Sequence, residues 1–416
     1  MLYDAMILGG GASGLIAACA LSRRGRRVVL LEKQARVGRK LLSTGNGRCN
    51  LTYRGARVSD YHGARQAAQA ALKAWPPERV EAYFGGLGIP CVTDSEGRVY
   101  PMSRQAASVV DALRLCCDEQ GAATLTDFRA TALRRTRDGF EATAEDGRTA
   151  SARCALVCTG GLAAPKLGAS GEGYRLLEAF GHHIAPRFPA IAALKTPPEA
   201  VRGLKGIRAE GEIALLSGGE TLRMERGEVL FAEAGVSGIA AMQLARAANE
   251  ALRAGRPCAV RLNLAPELDV GALLGERAKA LPRRPLEDFL NGIVPKRLGQ
   301  ALVRDAGLGM TRAAGTLTPA ERAQLAGRIG GWTLPVTGTQ DFDQAQVTAG
   351  GAQLRDFDVR TMASLRQPGL FAAGEVLDVD GDCGGFNLQW AWSSALMAAE
   401  GIDALLSESE QRGATR

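Results

Sequence analysis

The hydrophobic pattern changes period twice near the start of the chain. Residues 4–8 (DAMIL) form a short apolar run that reads as a buried strand. An Ala/Leu-rich stretch from Gly14 to Arg24 reads as a helix, with Gly25 as its C-cap. Residues 28–32 (VVLLE) return to strand character, so the opening is a βαβ unit. Within residues 103–120, Ala106, Val110, Leu113 and Cys117 fall on one helical face. Residues 128–158 alternate β-prone runs with Asp138-Gly139 and Asp146-Gly147 turns, which predicts a meander. Its last run, ALVCT, enters Gly160-Gly161.

A Pro-rich stretch around residues 186–198 marks a boundary. Beyond it, residues 198–265 read as strands apart from a helical stretch at 238–253, and residues 266–330 read as helices. Pro285 and Pro319 suit the first helical position. Thr318 and Glu321 have capping-box spacing, with Leu325 and Ile329 on one face. Strand-like composition returns at 331–347, and a final helix is predicted from about Asn387 to Leu406. Trp390 and Trp392 lie in its apolar stretch and are assigned to the core.

At 416 residues the chain has room for two or three domains. Hydrophobic residues at 46% and charged residues at 23% exclude a disordered or collagen-like chain. No window approaches the ~18 consecutive apolar residues of a membrane span, and no basic segment precedes the first apolar run. A cytoplasmic protein with no membrane partner is the expectation. The net charge is +7, yet only eight of the 51 basic residues are Lys, and the Arg are interspersed with acids. That scatter argues against a nucleic-acid partner and for an anionic small ligand. The nine cysteines are odd in number and contain no CxxC, which argues against structural zinc, a redox dithiol and disulfides. The three histidines, at 62, 182 and 183, supply neither a metal site nor a catalytic triad; His182-His183 reads as an exposed turn. No metal is expected. Asp378, Asp380 and Asp382 alternate as in a calcium loop but lack its central Gly and distal Glu.

Gly9-x-Gly11-x-x-Gly14 joins the first strand to the first helix, and Glu32 lies 18 residues beyond Gly14. Each part has a physical task. Gly9 permits the tight turn, Gly11 lets a pyrophosphate approach the backbone, and Gly14 lets helix and strand pack closely. Ala12 and Ser13 open the helix, whose N-terminus offers N–H donors and partial positive charge to phosphate. Glu32 is placed to accept from ribose hydroxyls, with Lys33 beside it. No second fingerprint follows a strand downstream, so the single site is assigned to FAD rather than NAD(P)H. Thr159-Gly160-Gly161 is similar to a turn found in flavoproteins, and Gly369–Glu375 (GLFAAGE) to their C-terminal motif, with Gly374 and Glu375 facing the cofactor.

With these blocks in place, the chain resembles the BaiN-like, aminoacetone oxidase-like family of NAD(P)/FAD-dependent oxidoreductases. The carrying segments are RKLLSTGNGRCNLT (39–52), GRVYPMSRQAASVVDAL (97–113), TGG (159–161), GEVLFAEAGVSG (227–238), VTAGG (347–351) and GLFAAGEVLDVDGDCGGFNLQWAWSSA (369–395). One departure is Phe231-Ala232-Glu233-Ala234-Gly235, where the family usually carries LFTHxG. The resemblance implies an α/β fold with a discontinuous Rossmann-like FAD domain, residues 1–189 and 348–416. The insert would have a β-barrel-like part, 190–265 and 331–347, and a helical part, 266–330.

In the TGNGRCN segment, Thr44, Gly45 and Gly47 would fold against the cofactor, and Asn46 and Asn50 would offer amide hydrogen bonds. Arg39, Lys40 and Arg48 would neutralise pyrophosphate or bias the flavin. Cys49 has no resolving partner at suitable spacing, so it joins the contact set as a lone buried thiol. Thr131 in the meander and Asp380 complete the middle of that set. Gly384 and Gly385 open the final helix, followed by Asn387, Leu388 and Gln389. A helix N-terminus there favours negative charge at the flavin's N1/O2 edge. Tyr100, Arg104, Glu233 and Asp380 are candidates to line the cleft; no catalytic side chain is singled out.

The predicted activity is exchange of hydride between a small organic substrate and flavin, with oxygen or transient NAD(P)H as second partner. The single fingerprint favours an oxidase slightly over an NAD(P)H-dependent reductase. A flavin-binding regulatory or nucleic-acid-associated protein without turnover is the alternative class. A homo-oligomer is compatible with the sequence.

Overall fold

The structure is a computed structural model, and it describes residues 1–414. The chain divides into two compact units, residues 1–188 with 347–416 and residues 189–346.

The first unit is built on β1 (Leu2–Leu8), α1 (Ala12–Ser22) and β2 (Val28–Leu31). Among the described residues they belong to a nine-stranded sheet. Its main path runs Phe357–Asp358, Ala363–Ser364, Leu370–Ala372, Thr149–Val157, β1, β2 and Ala123–Leu125. β1 lies parallel to β2, with Leu8 opposite Leu31, and parallel to Thr149–Val157, with Leu8 opposite Val157. Both faces of these strands are covered, which is why they read as continuous apolar runs rather than alternating ones. The meander is present as strands Ala130–Arg135 and Phe140–Ala144, antiparallel to each other and leading into Thr149–Val157.

Two helices press α1 onto the sheet, Ala106–Glu119 and the C-terminal helix Phe386–Ala414. α1 is buried on nearly every side, so it has no polar face. Trp390 and Trp392 are buried in the C-terminal helix, their indole N–H groups bonded to the Gly374 and Leu51 carbonyls.

The second unit pairs a seven-stranded sheet with helices. The strand order is Trp332–Val336, Cys258–Asn263, Arg208–Ser217, Glu220–Ala232, Gly235–Ser237, Leu194–Lys195 and Gly338–Thr339. Ile213, Leu215, Val260, Leu262, Phe231 and Trp332 fill its buried face. The helices are Ile239–Gln243, Ala245–Arg253, Val270–Ala280, Leu286–Phe289, Lys296–Asp305 and Pro319–Gly331, the first two covering the helical stretch expected at 238–253. Thr318 caps the last with the reciprocal Glu321 bond, and Pro319 occupies its first position. Pro285 sits one residue earlier, as the N-cap of Leu286–Phe289.

Two expectations fail here. Cys19 and Cys116, 97 residues apart, form a disulfide with Cα atoms 5.8 Å apart. Local spacing gave no sign of it, because the packing of α1 against Ala106–Glu119 makes the pair. His182 is buried rather than exposed, and its ring stacks on Phe357 and bonds the Leu177 carbonyl and Ser364. His183 alone faces outward, against Asp356.

Candidate dinucleotide site

The β1–α1 turn is formed by contacts that only glycine admits. Gly9 has φ +105°, and a Cβ on it would lie 2.5 Å from the Cys158 carbonyl oxygen. A Cβ on Gly14 would lie 1.8 Å from the Gly9 oxygen. Gly11 differs, because a Cβ there meets nothing within 4 Å. As the N-cap of α1, Gly11 has no side chain to satisfy the first-turn N–H groups. Those of Ala12, Ser13 and Gly14 are the orphan donors of the helix start.

Glu32, the residue directly after β2, is 9% exposed. Its two oxygens accept the N–H groups of Gly10 at 2.7 Å and Gln34 at 2.8 Å, and each keeps a further lone pair. Burial raises its pKa against the pull of those bonds and of Lys33. The Lys33 ammonium is held by Glu172 at 2.9 Å, which Arg129 also reaches at 3.2 Å. Burial works to raise Glu172, but Ser170 and Lys33 outweigh it and bring the carboxyl down to about 2.

A second cluster joins three remote segments. Lys40, in α2 (Arg39–Ser43), meets Glu375 at 2.7 Å. Glu375 also accepts the Thr348 N–H at 2.9 Å. The Thr348 hydroxyl accepts the N–H groups of Leu162 and Ala163 at 2.8 and 2.9 Å. Gly160 and Gly161 lie against this cluster, and a Cβ on Gly161 would fall 2.4 Å from Thr348 Oγ1. Gly374 lies over α1, where a Cβ would meet Ser13 Oγ at 2.6 Å, and its N–H donates to Ser394 at 3.0 Å. Thr348, Glu172 and Ser394 were missed by sequence reasoning. The VTAGG block flagged the first, but nothing local marks a Thr as an acceptor for a distant turn.

The loop after α2 turns through Gly45, Asn46, Gly47 and Cys49, all with φ between +55° and +81°. Gly45 through Arg48 are exposed, while Cys49 and Asn50 are buried. Thr44 bonds the Leu41 carbonyl at 2.6 Å. Burial pushes the Cys49 thiol up to about 12, against its contact with Thr44, so this thiol stays protonated at neutral pH. Arg48 bonds the Gly45 carbonyl and lies 5.5 Å from the Tyr100 ring, as does Arg104. Arg39 is exposed and paired with the Gln34 side chain.

At the start of the C-terminal helix, Gly384 and Gly385 have φ +137° and +110°. A Cβ on Gly385 would lie 2.7 Å from Asn50 Oδ1. That oxygen and Thr159 Oγ1 are both buried without a hydrogen-bond partner. Asn387 and Gln389 are engaged by the fold. The Asn387 amide bonds Gly381 in both directions, and the Gln389 amide donates to the Trp75 carbonyl and accepts from Thr52. Leu388 is half-buried, and Asp380 is buried opposite His62. His62 and Asp382 are 2.8 Å apart. Thr131 stands apart from both clusters, exposed and bonded across the hairpin to Thr143. Glu233 belongs to the second unit, exposed and paired with Lys205 at 2.9 Å. Among the described residues no three metal-ligating side chains are grouped to hold an ion, and no helix is long and apolar enough to cross a membrane.

Comparison with known proteins sharpens the picture. The HI0933-like protein Rossmann domain matches residues 3–401. A 3-dehydro-bile acid delta(4,6)-reductase of Clostridium scindens is 35% identical over 94% of this chain and 97% of its own. A ribosomal RNA dihydrouridine synthase of Escherichia coli is 31% identical over 97% of this chain and 99% of its own. Among solved structures, 3-ketosteroid delta1-dehydrogenase from Sterolibacterium denitrificans superposes with a TM-score of 0.52 at 14% identity, over 97% of this chain and 100% of that one. The last likeness concerns the fold alone. The two relatives are named as a reductase and a synthase of dihydrouridine, so the preference for an oxidase finds no support. The RNA enzyme likewise removes the case made from scattered charge against a nucleic-acid partner.

Proposed function

The chain belongs to the HI0933-like Rossmann family, and from that premise we propose that it is an FAD-dependent reductase of a carbon–carbon double bond conjugated to a carbonyl. Both relatives are named for saturating such a bond. One substrate is an oxo-steroid with ring alkenes; the other is uracil, whose ring alkene adjoins a carbonyl. The acceptor for this chain is accordingly a small enone or a uracil in RNA.

The observation that carries the cofactor reading is the contrast between Gly14, closed by backbone, and Gly11, open above three orphan N–H donors. The residues fit a dinucleotide. The N–H groups of Ala12, Ser13 and Gly14 would take the pyrophosphate, and the remaining Glu32 lone pairs the ribose hydroxyls. Asn50 Oδ1 and Thr159 Oγ1 are buried acceptors with capacity to spare. When bound, FAD supplies hydride transfer, taking electrons from NAD(P)H and passing them to the substrate. The chain's own part is electrostatic. The N-terminus of the helix Phe386–Ala414 presents backbone N–H groups beside Gly384 and Gly385, favouring negative charge at that end of the site. Lys40 holds Glu375 against Thr348 and so fixes the Gly160-Gly161 turn.

The test is anaerobic. The purified yellow protein is titrated with NADH or NADPH, then with a 3-oxo-4-ene steroid or a uridine-containing RNA. Bleaching by the nucleotide, recovery by one acceptor, and a product heavier by two hydrogens are expected. A protein that takes up no FAD, or one that regains colour only with oxygen, would refute the reading.

A further inference from the structure

The net positive charge is not spread evenly. Residues 271–330, the helical part of the second unit, hold ten Arg and Lys against five Asp and Glu, so five of the seven net charges lie in sixty residues. Scatter along the sequence hides this concentration, because acids and bases alternate locally while the balance drifts in one direction.

The fold gathers part of this excess. Lys279 ends the helix Val270–Ala280, and Arg283 and Arg284 follow in the next turn. Lys296 and Arg297 open the helix Lys296–Asp305. One member of each group acts on Asp288: Lys296 pairs it at 2.8 Å, and the Arg284 charge lies near the same carboxylate. Lys296 and Asn291 hold the Asp288 carboxyl below its ordinary range, and the nearby Arg284 charge adds to that. Among the described residues, Lys279, Arg283, Arg284 and Arg297 have no carboxylate at ion-pair distance. Asp288 therefore pairs one cation of the five, and Glu287 adds a second negative charge near that same Lys296.

The frame under these side chains is fixed. Arg277 clamps the turn by donating to the carbonyls of Phe289 and Asn291, both at 2.6 Å. Arg284 and Leu286 are tied by backbone bonds to Ala314 and Arg312, at 2.8 and 2.9 Å. Among the described residues, no large hydrophobic side chain is exposed between 271 and 330. A membrane-surface element needs an apolar face beside its cations, and a protein interface needs an apolar centre. This surface has neither.

We infer that the face carrying Lys279, Arg283, Arg284, Lys296 and Arg297 binds the phosphate backbone of a folded RNA. Phosphate contacts of this kind position a nucleic acid without reading its sequence. The choice of RNA over DNA rests on uracil being one of the two acceptors proposed above; the binding surface itself does not depend on the redox reading.

The test uses the full-length flavoprotein and a fluorescein-labelled RNA stem-loop, followed by anisotropy as salt is raised. Four unpaired cations predict a slope of log K against log salt of about −3 to −4, or roughly a hundredfold loss for a fourfold rise in salt. Arg283→Gln and Arg297→Gln should each reduce the slope by about one. The combined Lys279→Gln, Arg283→Gln, Arg284→Gln, Arg297→Gln variant should lose nearly all salt-dependent binding while its circular dichroism melt is kept. Arg134→Gln and Arg360→Gln, exposed in the other unit, should leave both affinity and slope unchanged. Wild-type affinity and slope in the two single variants would overturn the inference. So would equally tight binding to phosphatidylglycerol vesicles or to a DNA duplex. Flavin reduction enters none of these readings, so failure here is separable from failure of the proposed reaction.

Discussion

Alanine at Gly11 and alanine at Gly14 should break the protein in different ways. At Gly11 the backbone (φ −81°, ψ −165°) suits alanine, and a Cβ has no protein atom within 4 Å. Alanine is a poorer N-cap than glycine, by up to about 1 kcal/mol. The lost freedom of the unfolded chain returns about 0.4–1 kcal/mol. Net stability should therefore stay within about 0.5 kcal/mol of wild type. The methyl group, however, stands over the orphan N–H donors of α1. Loss of one charge-assisted hydrogen bond to phosphate is worth about 1.5–3 kcal/mol, so FAD affinity should fall roughly 10- to 150-fold. At Gly14 the added Cβ would sit 1.8 Å from the Gly9 oxygen, so the turn must open by more than an ångström. Overpacking against backbone costs about 3 kcal/mol, or roughly 6–10 °C in melting temperature. Both variants are assayed as apoproteins by thermal melt and by quenching of flavin fluorescence on titration with FAD. A Gly11→Ala protein that binds FAD as wild type does would remove the pyrophosphate from this turn. A Gly14→Ala protein that melts as wild type does would refute the packing argument.

Three further outcomes follow from the same geometry. Glu172 has an ordinary pKa of 4.5 and a folded value of about 2, so its stabilisation is complete above about pH 4.5 and drains away as pH falls toward 2. Glu172→Gln should flatten denaturant-measured stability over that window by about one proton; an unchanged slope would count against the Lys33–Glu172 bond. For Lys40 and Glu375, a double-mutant cycle with Lys40→Met and Glu375→Gln should return a coupling of about 1 kcal/mol in urea melts, given the partial exposure of both groups, and no coupling would mean the pair is not formed. Thiol titration in denaturant should find seven groups before reduction and nine after, and in the native protein at mild alkaline pH Cys49, Cys117 and Cys158 should stay silent, because burial pushes each up to about 12.

What the sequence made legible was local, and what it hid was long-range. The βαβ opening, the meander and the Thr318–Glu321 cap were readable because each is specified by neighbours a few residues apart, and the structure contains all three. The C-terminal helix runs to Ala414, past the predicted Leu406, because Ser407, Ser409 and Glu410 meet Arg26 and Arg153, contacts invisible to periodicity. His182 looked exposed because it follows a helix-like stretch at a turn, but burial was decided by Phe357 and Ser364, more than 170 residues away. The same physics separates the candidate site residues. Gly9 and Gly14 could be given a task from spacing alone, since their steric partners are each other and the adjacent strand. Gln389 and Asn387 could not, because an amide is equally suited to a ligand and to a backbone. Only the positions of Trp75, Thr52 and Gly381 show that these two amides hold the chain. Asn50 and Thr159 show the converse, being buried acceptors beside the glycine turns that the fold leaves without a hydrogen-bond partner. Spacing therefore identifies the glycines of the turn, while the polar groups left for a ligand emerge only after the fold has taken the hydrogen bonds it needs.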